Sequence, residues 1–170
     1  MPTPIVHDLS REPDTVCRLN VNAFQQNALT SFRAYQYCTF YRAQSANVRY
    51  VVLGRRKVAL GAEWELFEFT DYEQTVDDGH NTISIGICHG DGTIHISFDH
   101  HSDDLKYRVS EKGVATDPEN FEWKPSLFSP VLNRLDRDAG STDAPALQLV
   151  TYPRFVNIGD GLLFECRIGK

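Results

Sequence analysis

The sequence predicts an all-β fold, and three observations carry that prediction. Short runs rich in Tyr, Phe, Val, Ile and Thr are separated by Gly, Asp, Asn and Pro. No stretch keeps a helical period. Similar strand patterns return along the chain, with Asp-Gly chemistry at the turn positions that need φ > 0.

Taken in order, residues 28–43 (ALTSFRAYQYCTFYRA) read as two strands around a tight turn, 48–55 (VRYVVLGR) as a third and 64–70 (WELFEFT) as a fourth. That is one four-stranded meander. The order returns at 82–89 (TISIGICH), turns at Gly90-Asp91-Gly92, and continues through 93–99, 105–110 and 121–128 (FEWKPSLF). A third unit opens at 151–158 (TYPRFVNI), turns at Gly159-Asp160-Gly161 and runs through 162–168 (LLFECRI). The two Gly-Asp-Gly turns lie 69 residues apart and Phe40 and Phe98 lie 58 apart, a loose period that suits propeller blades with insertions. The expected architecture is a partial β-propeller of about two and a half four-stranded antiparallel blades. Residues 1–20 form an N-terminal arm and 21–170 an incomplete propeller, with blades near 21–75, 76–148 and 149–170. Residues 111–120 and 130–147 read as long loops, the second with room for a helical turn. An open ring leaves an unpaired strand edge, so self-association through open blade edges is expected unless further blades follow.

Composition bounds the function. With 170 residues, 41% apolar and 24% charged, the chain can bury a real core. A net charge of −6 and a pI near 5.4 argue against a nucleic-acid binder, because phosphate contacts need a surplus of Lys and Arg on one face. An anionic ligand would have to be met by a local cationic site. No apolar run is long enough to span a bilayer, and the N-terminus lacks the order of a secretory signal, so the chain as written is expected in the cytoplasm. Cys17, Cys38, Cys88 and Cys166 form no C-x-x-C pair, and the last three fall in strand-like runs where a buried free thiol is expected.

Histidine placement is the first functional signal. His80 precedes the first strand of the second unit, while His100 and His101 end its second strand. Antiparallel neighbours bring the start of one strand and the end of the next to the same rim, so His80 and His100 should be close. By the same geometry Tyr152 and Arg167 belong on that rim one unit further round. A single rim histidine is more often held by loop backbone than used in catalysis, but four such groups together shift the balance. They suit β-elimination from a uronate. Arg167, with a histidine, could neutralise the carboxylate, while Tyr152 or His80 moves the proton.

Other chemistry competes for some of these residues. Cys88, His89, His95, His100 and His101 could serve a structural metal ion, although their spacing matches no standard zinc pattern. Asp77-Asp78 and Asp103-Asp104 read as solvated turns. Tyr35, Tyr37, Tyr50, Trp64 and Trp123 read as core. No G-x-S-x-G elbow, phosphate-cradling Gly-rich loop or H-E-x-x-H is present.

The stretches NAFQQNALTSF, YEQTVDDGHNTISIGICHGDGTIHISFDHHSDDLKYRVS and LVTYPRFVNIGDGLLFECRIGK resemble the BNR-repeat-containing propeller family. That resemblance implies a seven-bladed parent fold and a polysaccharide lyase of the ulvan lyase or rhamnose–glucuronate lyase type, acting on an anionic polysaccharide or oligosaccharide without an organic cofactor. It implies His80, His100 and Tyr152 as catalytic residues with Arg167 binding substrate, and His101, next to His100, is a further substrate-binding candidate. An α-L-rhamnosidase-like hydrolase on the same fold, or a non-catalytic carbohydrate-binding module, stands as the alternative. The family is usually secreted. The S-x-D-x-G-x-T-W Asp box of sialidases is not found, so sialidase activity is unsupported.

Overall fold

A computed structural model describes residues 5–22, 27–135 and 144–169. Among these described residues, ten strands build three antiparallel sheets. The first sheet is the meander β1 (Leu29–Phe32), β2 (Tyr35–Ala43), β3 (Arg49–Lys57) and β4 (Glu65–Gln74), in that order. The second holds β5 (Ile83–Ile87), β6 (Ile94–Phe98) and β8 (Tyr107–Val109). The third has the order β10 (Gly161–Ile168), β9 (Val150–Ile158) and β7 (His101–Asp103). Thus β7 leaves the run that forms the second sheet and joins the third.

Burial explains the strand chemistry. Val51 and Leu53 of β3, with Tyr37 and Tyr41 of β2, face the core, which they share with Ile83, Ile85, Ile94, Ile96 and Phe98 of the second sheet. All five residues of β5 (ISIGI) are buried, since the first sheet covers one face and β9 the other. This close approach is why position 86 is Gly: a Cβ there would stand 2.3 Å from Phe155 Cβ. The two Gly-Asp-Gly turns also meet, with the Gly90 N–H donating to the Asp160 carbonyl at 2.8 Å.

The segment before β1 is part of this core. Leu19 is fully buried, and the Asn20 side-chain amide both accepts from the Tyr41 N–H (2.7 Å) and donates to its carbonyl (2.8 Å), standing in for a strand neighbour. Further on, Asp77 accepts the backbone N–H groups of Val16 (2.7 Å) and Cys17 (3.0 Å), which hold its carboxyl below the usual range.

Two expectations need correction. Residues 121–128 are not a strand. Pro118 and Pro125 start short 3-10 turns, Pro118–Asn120 and Pro125–Leu127, and proline cannot donate to a ladder, so only an isolated Ser110–Phe128 bridge remains. Trp123, Leu127 and Phe128 still pack into the core against Phe67 and Phe69. Of the thiols expected to be buried, Cys38 is buried, whereas Cys88 and Cys166 are half-buried; all four cysteines are free. Residues 136–143 of the second long loop, where a helical turn was expected, lie outside the described residues.

Candidate functional site

The site is assembled by two irregularities in the third sheet. On β9, the register with β10 slips between Glu165–Arg154 and Arg167–Thr151, so Tyr152 and Pro153 together oppose the single residue Cys166. Tyr152 sits at φ 57°, a left-handed conformation that an aromatic residue adopts only when its surroundings impose it. The bulge turns its ring toward Arg167, whose guanidinium carbon lies 5.2 Å from the ring centroid. A second slip, between His101 and Asp103, accommodates Ser102 at φ 60°. Thr151 is therefore the cross-strand partner of both Arg167 on β10 and His101 on β7. Its buried hydroxyl accepts from the Ser102 N–H (2.8 Å) and from Arg167 Nη2 (3.2 Å).

His80 enters from the turn before β5. Asp78 accepts the His80 N–H at 2.9 Å through Oδ1, a local side-chain turn across Gly79, and the same Oδ1 lies 2.5 Å from His80 Nδ1. Asp78 Oδ2 lies 2.6 Å from His101 Nδ1. The two imidazoles stack with centroids 3.9 Å apart and planes 21° from parallel, and the Tyr152 ring stands 5.5 Å from that of His80. Burial of Asp78 would raise its pKa, but the His80 N–H and the two imidazoles outweigh burial and hold the carboxyl at about 2. It is ionised at any working pH.

His80, His101, Tyr152 and Arg167 thus come together at one place, as strand-end geometry predicts for three of them. His100, which the sequence places beside His80, is instead committed to the interior. Its side chain is fully buried, and Nε2 accepts the Lys106 N–H at 2.7 Å. Burial, with the nearby Lys106 charge, pushes its pKa down to about 3, so it is a neutral acceptor. The physical cause is Asp99 at φ 61°, which breaks the alternation of β6 before the two histidines. Asp99 is pinned there by Tyr72 Oη and by Gln74 Nε2 (3.0 Å), while Gln74 Oε1 accepts from buried Arg49 at 2.5 Å. This network ties the first sheet to the loop that sets His101 in place.

Asp78 is the residue that sequence reasoning missed. Read as one of a pair of solvated acids, it lies two residues before His80 with only Gly79 between, a spacing that lets its carboxylate close on the His80 backbone. Asp78, His80 and His101 are the one group among the described residues whose donor atoms are close enough to be weighed as a metal site. The 2.5 and 2.6 Å separations are hydrogen-bond lengths, tighter than two ligands on one ion would stand. The other metal candidates are dispersed in use: His95 bonds Thr93 and Tyr107, and His89 stacks on Phe32.

Residues 35–170 match the family described as "BNR repeat-containing family member". The chain belongs to that family. Among curated proteins this BNR-repeat chain is similar to "Ulvan lyase, long isoform" of Alteromonas sp. (strain LOR), with 28% identity over 174 residues that take in 84% of the chain and 17% of the relative. Among solved structures it is similar to the crystal structure of polysaccharide lyase Uly1, with a TM-score of 0.67 and 24% identity. That match covers 90% of this chain and 39% of the other, so the chain spans well under half the length of either protein. The likeness shows a partial propeller fold, into which the three antiparallel sheets fit.

Proposed function

We propose that this BNR-repeat chain carries the catalytic rim of a polysaccharide lyase that cleaves a uronic-acid-containing glycan by β-elimination. The observation that carries the reading is the convergence of Tyr152, His80, His101 and Arg167, a phenol, two imidazoles and a guanidinium on three strands and a turn. The name of the curated relative, an ulvan lyase, supports the same class.

The chemistry follows from where charge develops. The proton on the carbon beside the uronate carboxylate is weakly acidic, and its removal spreads negative charge into that carboxylate. Arg167, exposed on β10, can meet a carboxylate with its planar fork, so the added charge is stabilised by a group already in place, while His101 stands in the same cluster to contact the sugar. Tyr152 and His80 are the proton carriers: one accepts the proton from carbon, and the other supplies a proton to the departing oxygen. The electron pair of the C–H bond becomes a C=C bond as the neighbouring C–O bond breaks. In a chain of net charge −6, this rim is where an anionic sugar would find a cation.

The test is incubation of the chain with ulvan and with other uronate polymers while ultraviolet absorbance is followed. Elimination produces a conjugated double bond and a rising signal, lost in Tyr152→Phe. New reducing ends without that signal would replace elimination by hydrolysis of a rhamnose–glucuronate linkage. Polymer binding without turnover, unchanged in His80→Ala, would make the chain a binding module.

A further inference from the structure

We infer that Asp78 is the positioning residue of the His80–His101 pair, fixing both imidazoles in the Nδ1–H tautomer so that each turns Nε2 toward the substrate; this rests on the lyase reading above. One carboxylate serves two rings through different oxygens, Oδ1 to His80 Nδ1 at 2.5 Å and Oδ2 to His101 Nδ1 at 2.6 Å. An ionised carboxylate has no proton to give, so each Nδ1 must be the donor, and a neutral imidazole that donates from Nδ1 keeps Nε2 as its acceptor. Asp78 is itself held, because its Oδ1 also takes the His80 backbone N–H at 2.9 Å. The two Nδ1 atoms meet the same carboxylate, and the rings stack 21° from parallel. His80 and His101 stand 21 residues apart and belong to different elements. Asp78 is bonded to both.

Asparagine at this position has one acceptor oxygen and one donor NH₂. In Asp78→Asn only one imidazole keeps an acceptor, and the other, facing an NH₂, must accept at Nδ1 and carry its proton on Nε2. Long-range ¹H–¹⁵N spectra of the whole chain, assigned with His80→Gln and His101→Gln, read both tautomers directly. The wild type is expected to show both rings as Nδ1–H, and Asp78→Asn to convert one of them. An Nε2–H signal from either wild-type ring overturns the assignment without any variant, and an Asn variant that keeps both tautomers overturns it too. On a uronate polymer, Asp78→Asn is expected to lower kcat by roughly 10²-fold or more with KM within about twofold, since geometry rather than binding is lost. Unchanged kcat alongside converted tautomers would remove the role in catalysis. Converted tautomers with no ultraviolet product from the wild type would instead sink the lyase reading and leave Asp78 as the clamp.

Discussion

His80 and His101 stack face to face with ring centroids 3.9 Å apart, although one comes from the turn before β5 and the other from a short strand that pairs with β9. Stacking of this kind sets the two rings side by side on one carboxylate, Asp78. It also makes the adjacent His100 a different kind of residue, because the backbone that exposes His101 buries its neighbour.

The two histidines should therefore separate in mutagenesis. His101→Ala is expected to leave the thermal midpoint nearly unchanged, since the side chain is exposed, and to lower turnover of a uronate polymer. His100→Ala empties a fully buried site and strips the Lys106 N–H of its acceptor, at a cost of about 2–3 kcal/mol. Denaturant melts and steady-state rates on both variants check this. A stable His100→Ala with turnover abolished would return His100 to the catalytic role that sequence resemblance implied.

Tyr152→Phe removes one oxygen from the rim and keeps the ring that meets Arg167 and His80. Turnover is expected to fall by roughly 10²–10⁴-fold, the range for a lost proton carrier, with polymer binding retained. Equal loss of binding and rate, measured by calorimetry beside the kinetics, would reassign Tyr152 to substrate contact.

How much of this could be read from the sequence depends on where backbone regularity holds. The strands of the first sheet and the Gly-Asp-Gly turns were legible because alternation and turn chemistry are local. The meeting of His80, Tyr152 and Arg167 was legible because antiparallel strand ends must share a rim. The placing of His101 rather than His100 beside His80 was not, since it follows from positive φ at Asp99, held by Tyr72 and Gln74 of another sheet, and at Ser102, held by Thr151 and Gly169. Asp78 was hidden for a similar reason: its second partner, His101, is 23 residues away. The lost strand at 121–128 did carry a local signal, the prolines at 118 and 125, which the aromatic run FEW outweighed.

Acid should weaken the fold through its buried imidazoles. Burial pushes His95 down to about 4, against the opposing pull of Asp91, and His100 to about 3, both from 6.5. The unfolded chain binds these protons first, so the neutral forms stabilise the fold fully above about pH 6.5, and that stability is lost as pH falls through about 4 and 3. Thermal midpoints should be flat from roughly pH 8 to 7 and decline below about 6. His100→Gln, which keeps an acceptor but cannot titrate, should flatten part of that decline; a slope identical to the wild type would rule His100 out as a source.

Gly86 tests how the second and third sheets are held together. Its side of β5 is crossed so closely by β9 that a Cβ would lie 2.3 Å from Phe155 Cβ and 2.7 Å from Cγ, with Leu162 Cδ2 at 3.2 Å. The first of these atoms is bonded to backbone and cannot swing aside, so Gly86→Ala must push β9 away from β5. Overpacking of this sort costs about 1–3 kcal/mol, a fall of roughly 2–10 °C in melting temperature for a chain of this size. The shift would also carry Tyr152, three residues before Phe155 on the same strand, away from His80, so turnover should fall with stability. Phe155→Ala opens a cavity by itself, yet in the Gly86→Ala background it removes the very atoms that clash beyond Cβ, so the two costs should sum to more than the double variant loses. Strict additivity, measured by a double-mutant cycle in denaturant, would mean that the sheets are not in contact at this point.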